Sequence, residues 1–182
     1  MSKVVLGMII SLDGFVNDRS GSVSRLYPDL EALGKTDVLQ EAIRTTGAVV
    51  MGRHAYEMAK GDFSGYEFQV PIFVVTHEPP ETVAKGENEN LKFSFVSDGI
   101  ESAVRQAKAA AGDKNVTMVG GAEIARQSLQ AGLVDELELD VMPVLLGGGL
   151  RLFEQFDAPI ELETTTVLQY AGLIHQVFRV VK

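Results

Sequence analysis

Two patterns of apolar positions divide the chain. Residues 4–10, Val4-Val5-Leu6-Gly7-Met8-Ile9-Ile10, are nearly continuous in apolar character, which predicts a central strand buried on both faces. Shorter runs of the same kind begin at Val49 and Pro71, and further strands are predicted over 91–96 and 115–119. Between them the period changes. Leu30, Leu33, Val38, Leu39, Ala42 and Ile43 recur at mostly helical spacing over 29–44, with Gly34 predicting a break or kink. Ile100, Ala103, Val104 and Ala107 mark one face of a helix that Ser97 or Asp98 caps and that runs through Ala111. A short helix over 53–60 stops at Gly61, and another begins after Gly121 and ends near Gly132.

The last third reads differently. In Glu136-Leu137-Glu138-Leu139-Asp140-Val141 acids alternate strictly with apolar residues, the pattern of a strand with one face in water. An apolar, glycine-rich bend follows over 143–150, and residues 163–170 and 173–181, joined at Ala171-Gly172, predict a terminal antiparallel hairpin. Helix-linked strands followed by a hairpin predict an α/β chain with a mixed, mostly parallel sheet, and 182 residues suit one domain spanning 1–182.

Charge and composition narrow the partners. Sixteen Lys and Arg against 25 Asp and Glu give a net charge of −9, without a basic patch interleaved with aromatics, so a nucleic acid or an anionic membrane surface is not expected. The absence of cysteine removes disulfides, thiolate nucleophiles and cysteine-ligated metal sites, and fits a reducing cytoplasm. The first apolar run is too short to span a bilayer, and Asp13 follows it without a cleavage signal, so a cytoplasmic protein is expected. No metal site is expected.

Candidate chemistry gathers where strands end. Val49-Val50-Met51-Gly52-Arg53-His54-Ala55-Tyr56-Glu57 reads as strand, tight turn and helix start. Amides at a helix N-terminus lack intrahelical partners and sit at the positive end of the dipole, so they suit an anion; Gly52 permits close approach, and Arg53 and His54 add donors. Val119-Gly120-Gly121-Ala122-Glu123-Ile124 repeats the arrangement, and the two together favour a nucleotide. Ser11-Leu12-Asp13-Gly14, and Thr76 with His77, occupy strand ends of the same kind, where open α/β sheets place their crevice. Residues 17–25 read as a mobile loop able to close over a substrate, and 78–90 as an exposed loop.

These segments resemble, in order and over nearly the whole chain, the dihydrofolate reductase-like superfamily. Residues 50–57 are similar to the segment of dihydrofolate reductases that binds the NADPH phosphates, and 119–124 to that family's second cofactor loop. Ser11-Leu12-Asp13-Gly14, Ala131-Gly132-Leu133-Val134-Asp135-Glu136-Leu137 and Pro143-Val144-Leu145-Leu146-Gly147-Gly148-Gly149 resemble more closely the reductase domain of the riboflavin-pathway deaminase-reductase. The resemblance implies a three-layer fold with helices on both faces of the sheet and NADPH across the strand ends. It implies phosphate contacts from Gly52, Arg53, His54 and Ala55, and adenosine ribose and 2′-phosphate contacts from Val75, Thr76 and His77. Val119, Gly120, Gly121, Ala122, Glu123 and Ile124 are implied on the pyrophosphate and nicotinamide side, with Met8, Ile9 and Val16 flanking the nicotinamide. Dihydrofolate reductases carry a cis peptide between the two corresponding glycines, and because non-proline cis bonds are costly, one at Gly120-Gly121 would support a functional reading.

Hydride transfer to a C=N or C=O carbon needs a proton for the other atom. Asp13 is one candidate for a polar substrate contact or proton donor; the alternative is a carboxylate that caps its own loop. Asp29 is the other, because Pro28-Asp29-Leu30 resembles the dihydrofolate reductase helix start with the substrate-binding carboxylate; the alternative is a simple N-cap. His54 and His77 bind phosphate or merely cap, and His175 reads as structural. The substrate half of the pattern departs from the family: Val119 stands where riboflavin-pathway reductases commonly have Glu, no tryptophan lies above the substrate, and a zinc deaminase half needs cysteines that are absent. The expectation is an NADPH-dependent reductase of a pyrimidine-type small molecule resembling 5-amino-6-(5-phosphoribosylamino)uracil, with a dihydrofolate or pterin reductase and a non-catalytic nucleotide-binding module as alternatives. Related reductase domains bury surface like the 136–141 strand and the 143–153 bend in a dimer, so a homodimer is expected.

Overall fold

The long apolar run forms β1 (Val4–Ser11), near the middle of an eight-stranded sheet in the computed structural model, which describes residues 2–170 and 172–182. The other strands are β2 (Thr46–Gly52), β3 (Ile72–Val75), β4 (Phe93–Val96), β5 (Asn115–Val119), β6 (Glu136–Met142), β7 (Leu162–Tyr170) and β8 (Leu173–Val180). Their spatial order is β4-β3-β2-β5-β1-β6-β8-β7. Every pair from β4 to β6 is parallel, while β8 runs antiparallel to both β6 and β7. The predicted join at Ala171-Gly172 lies partly outside the described residues, because Ala171 does.

Helices cover the sheet unequally. α4 (Ile100–Ala111) and α5 (Ala122–Gln130) lie on one face. There Ala103, Val104, Ala107, Ile124 and Ala125 pack with Val4, Leu6, Val50, Met118, Leu137 and Leu139 in the main core. The other face is covered over β2 and β3 by α2 (Asp37–Thr45), α3 (Arg53–Met58) and the segment 61–70. Leu39, Ala42, Ile43, Tyr56, Phe63 and Phe68 pack there on Val49, Met51, Ile72 and Val74. Towards β1, β6 and β8 that second face is left as a cleft. Among the described residues no helix is long and apolar enough to cross a membrane.

Several local expectations change. The run over 29–44 divides into α1 (Leu30–Gly34) and α2, because Asp29 caps the first helix and Thr36 the second. α3 is shorter than expected, ending at Met58, with Lys60 at a positive φ of 51°. Neither Ser97 nor Asp98 caps α4: its N-cap is Gly99, at φ 99° without a side-chain bond. The fourth strand starts at Phe93 rather than Leu91. No peptide bond among the described residues is cis, Gly120-Gly121 included, and both of these glycines adopt positive φ, 69° and 85°.

The expected mobile loop is tied down. Asn17 Oδ1 accepts from Leu150 N at 2.9 Å, Arg19 Nη2 donates to the Gly147 carbonyl at 2.9 Å, and Asp18 accepts from the Ser20 and Ser22 amides. This loop lies along the 143–150 bend, sharing the main-chain bonds Leu12 N to Val144 O and Val16 N to Leu150 O. β6 pairs with β1 on one side and β8 on the other, and its acids Glu136, Glu138 and Asp140 are half-buried on one face. The bend still exposes Leu145 and Leu150.

Candidate active site

Strand register sets the floor of the cleft. On the open face Val119 of β5 lies beside Gly7 of β1, and Gly7 beside Glu138 of β6. One row on, Ile9 lies beside Asp140, and Asp140 beside His175 of β8. Because side chains alternate along a strand, the acids of β6 share this face while Leu137 and Leu139 enter the main core. A Cβ placed on Gly7 would meet nothing within 4 Å, so the missing side chain opens the floor between the two rows. The cleft holds about 640 Å³. Its walls include Tyr27, Leu30, Leu33 and Leu39 on one side and Ala55, Met58, Phe63, Tyr66 and Phe68 on another.

The polar wall carries a connected acid–base group. His175 is buried, and its Nδ1 lies 2.7 Å from Asp140 Oδ1. The Tyr170 hydroxyl donates to the same carboxylate at 3.2 and 3.3 Å. Burial alone would lower the pKa of His175, but the Asp140 hydrogen bond and the charges of Asp140 and Glu138 outweigh it and raise the pKa above its ordinary value of 6.5. Burial raises the pKa of Glu138, and the neighbouring acids add to this. Tyr170 is also raised, by burial and by the Asp140 charge. The result is an imidazole whose charged form one carboxylate favours, beside a second carboxyl whose neutral form burial favours. A carboxylate–imidazole pair of this kind can store and deliver a proton.

The glycine turns border the other end of the cleft. Gly52 ends β2 beside Val75 of β3, and Met51 pairs with Val119. The two turns touch: a Cβ on Gly120 would collide with that of Ala55, and one on Gly52 would lie 2.9 Å from Ile124 Cγ1. Neither α3 nor α5 has a side-chain cap at its N-terminus, so main-chain amides there are left for another acceptor. Arg53 is exposed, its Nε bound to Glu57 at 2.7 Å and its Nη1 3.4 Å from Glu78, which leaves Nη2 without a partner among the described residues. His54 and His77 are exposed at the same end. Uncapped amides with an arginine and two histidines fit the phosphates of a dinucleotide.

Of the residues expected to bind a cofactor, Met8, Ile9, Ala55, Val119 and Gly120 line the cleft. Gly52, Arg53, His54, Gly121 and Glu123 lie outside it at the two turns; Glu123 is held by Arg126 and Gln127. Ala122 and Ile124 are core side chains, and Val16 and Val75 pack against the same core, so their side chains are committed to packing. The Thr76 hydroxyl is bonded to the Glu78 backbone at 3.0 Å, closing a turn.

Asp13 and Asp29 are both engaged as local caps, the alternative open for each. Asp13 accepts from Ser11 Oγ at 2.6 Å and from the Leu146 and Gly147 amides at 3.1 and 2.8 Å. The Ser11 bond and those two amides hold its pKa down at about 2, so it is ionised at neutral pH and cannot serve as a proton donor. Asp29 is exposed and accepts from Ala32 N at 2.8 Å as the cap of α1, and it does not line the cleft. That removes the observation on which a folate reading depended. The groups that do line it are Glu138, Asp140, Tyr170 and His175, of which the sequence singles out only His175, as a structural residue. Their only sequence signal is acids at every second position of a strand whose order in the chain makes it a neighbour of the central one.

The sequence matches the RibD C-terminal domain family over residues 2–175. The uncharacterized protein YwjB of Bacillus subtilis (strain 168) is 27% identical over 177 residues, covering 96% of this chain and 97% of that protein. Among solved structures, a putative riboflavin biosynthesis protein from Shewanella sp. PV-4 superposes with a TM-score of 0.81 at 20% identity, covering 99% of each chain. Dihydrofolate reductase from Enterococcus faecalis, complexed with NADP(H), gives 0.65 at 13% identity and covers 99% of this chain and 97% of its own. The protein belongs to the RibD C-terminal domain family and has the dihydrofolate reductase-like fold.

Proposed function

From that membership we propose that the protein is a nicotinamide-dependent reductase, preferring NADPH, that reduces a C=N or C=O bond of a small pyrimidine-type ring. The observation that carries this reading is a single cleft joining residues of the glycine turns, Ala55, Val119 and Gly120, to the His175–Asp140 pair. When bound, NADPH supplies the hydride taken up by the substrate carbon. The chain supplies the rest. The uncapped amides of α3 and α5 hold phosphates, with Nη2 of Arg53 as the side-chain donor. Met8 and Ile9 present an apolar edge that orients the ring and excludes water. His175, kept protonated by Asp140, gives its proton to the substrate nitrogen or oxygen, so carbon gains the hydride and the heteroatom gains the proton. Tyr170 fixes the Asp140 carboxylate.

A fluorescence titration with NADPH and, separately, NADH tests the reading. The expected result is tight NADPH binding with roughly tenfold preference over NADH, a preference that Arg53→Ala removes. Binding of neither dinucleotide overturns the proposal. The homodimer also becomes a proposal, shifted to the outer strands, where Leu162, Val167, Leu168 and Ile174 are exposed. A monomeric mass in light scattering at micromolar concentration refutes it.

A further inference from the structure

We infer that the substrate accepted by this cleft carries no phosphate and is a neutral or cationic planar nitrogen compound, such as an amidine-containing ring. The inference rests on the reductase reading only in taking the cleft as the substrate site.

The argument starts from what lines the cavity. Among its lining residues there is no Lys and no Arg; the ionisable groups are Glu67, Glu138, Asp140, His175 and the hydroxyls of Tyr27, Tyr66 and Tyr170. The one cationic group, His175, is already bound to Asp140 at 2.7 Å. Glu138, by contrast, is hydrogen-bonded to none of the described residues and stands on the open row beside Gly7, where nothing fills the space. Two loop arginines are engaged elsewhere. Arg19 donates to the Gly147 carbonyl, and Arg151 lies over the Phe15 ring, 3.4 Å from the Asp13 carbonyl; neither lines the cleft.

A phosphate needs charged or main-chain donors, and the amides that offer them belong to the two glycine turns at the dinucleotide end. A substrate phosphate in the cleft would instead meet the carboxyl groups of Glu138 and Asp140, with His175, whose Nδ1 is bound to Asp140, as the one cation beside them. The negative field is visible in the cleft's own groups: burial raises the pKa of Tyr27, and the charges of Asp140 and Glu67 raise it further. Two carboxylates on one floor, with Tyr27, Phe63, Tyr66 and Phe68 on the walls, suit a flat ring that donates N–H bonds. This departs from the phosphoribosyl substrate that the family resemblance implies.

An isosteric charge series tests it: benzamidine, benzamide and benzoate, with ribose 5-phosphate as the phosphate probe, are titrated into the full-length protein and followed by ligand-observed NMR without nicotinamide. The expected order is benzamidine above benzamide above benzoate, with at least tenfold between the ends and no displacement of benzamidine by ribose 5-phosphate. Glu138→Gln and, separately, Asp140→Asn each narrow that ratio. Equal or tighter binding of benzoate or ribose 5-phosphate, or binding of none of the probes, overturns the inference. Loss of NADPH binding with the charge order intact would refute the reductase reading and leave this one standing.

Discussion

The two ends of the cleft are built in opposite ways. At the β2 and β5 ends the chemistry is backbone: glycine at the turn, uncapped amides at the helix start, and side chains such as Ile124 and Ala55 that pack rather than react. On the β6–β8 wall the chemistry is side chain: Glu138, Asp140, Tyr170 and His175 act only because strand pairing sets them on one face. The first kind of site tolerates change in side-chain identity and fails when space is taken up. The second tolerates added volume at its floor and fails when one member of the group is lost.

Asp140→Asn gives the largest expected effect. NADPH oxidation with an accepted substrate falls roughly 100-fold, while NADPH binding is unchanged. In the same variant the His175 midpoint, read by NMR, drops from above 6.5 in the parent towards or below that value. The sign follows from the raised folded-state pKa. His175 stabilises the fold fully at pH below its unfolded pKa, and that contribution disappears as pH rises through the folded pKa, so Asp140→Asn flattens this pH dependence. An unshifted midpoint would break the division between the two ends by removing the acid–base wall.

Gly120→Ala tests the backbone end. The new Cβ collides with Ala55, and φ 69° is unfavourable for it, so urea unfolding should show a loss of about 2 kcal/mol. Gly7→Ala is the smallest change and the sharpest contrast. Its Cβ enters open space at a φ that alanine accepts, so stability stays within about 0.5 kcal/mol while KM for the substrate rises a few-fold as the floor narrows. If Gly7→Ala destabilised as much as Gly120→Ala, the cleft floor would be packed rather than open.

Much of the fold was legible because its signals are local. The continuous apolar run of β1, the helical period of α4 and the strand–glycine–helix turns each lie within a dozen residues, and solvent avoidance fixes their form wherever they pack. Asp29 and Asp13 show the limit: each carries a motif's carboxylate, but the nearest amides, Ala32 in one case and Leu146 and Gly147 in the other, claimed it as a cap.

The sequence by itself determined the elements, the glycine turns and the presence of one polar face on β6. Only the tertiary structure decided where that face looks. The alternation of acids and leucines is the same whether a strand borders water or a cleft; β1 and β8 on either side of β6, with α1, α2 and α3 across from it, enclosed the acids. Asp140 and His175 are 35 residues apart and meet because the antiparallel register along β6 and β8 sets them opposite each other. A one-residue slip would send the acids into the apolar core, so the burial that fixes register also assembles the site.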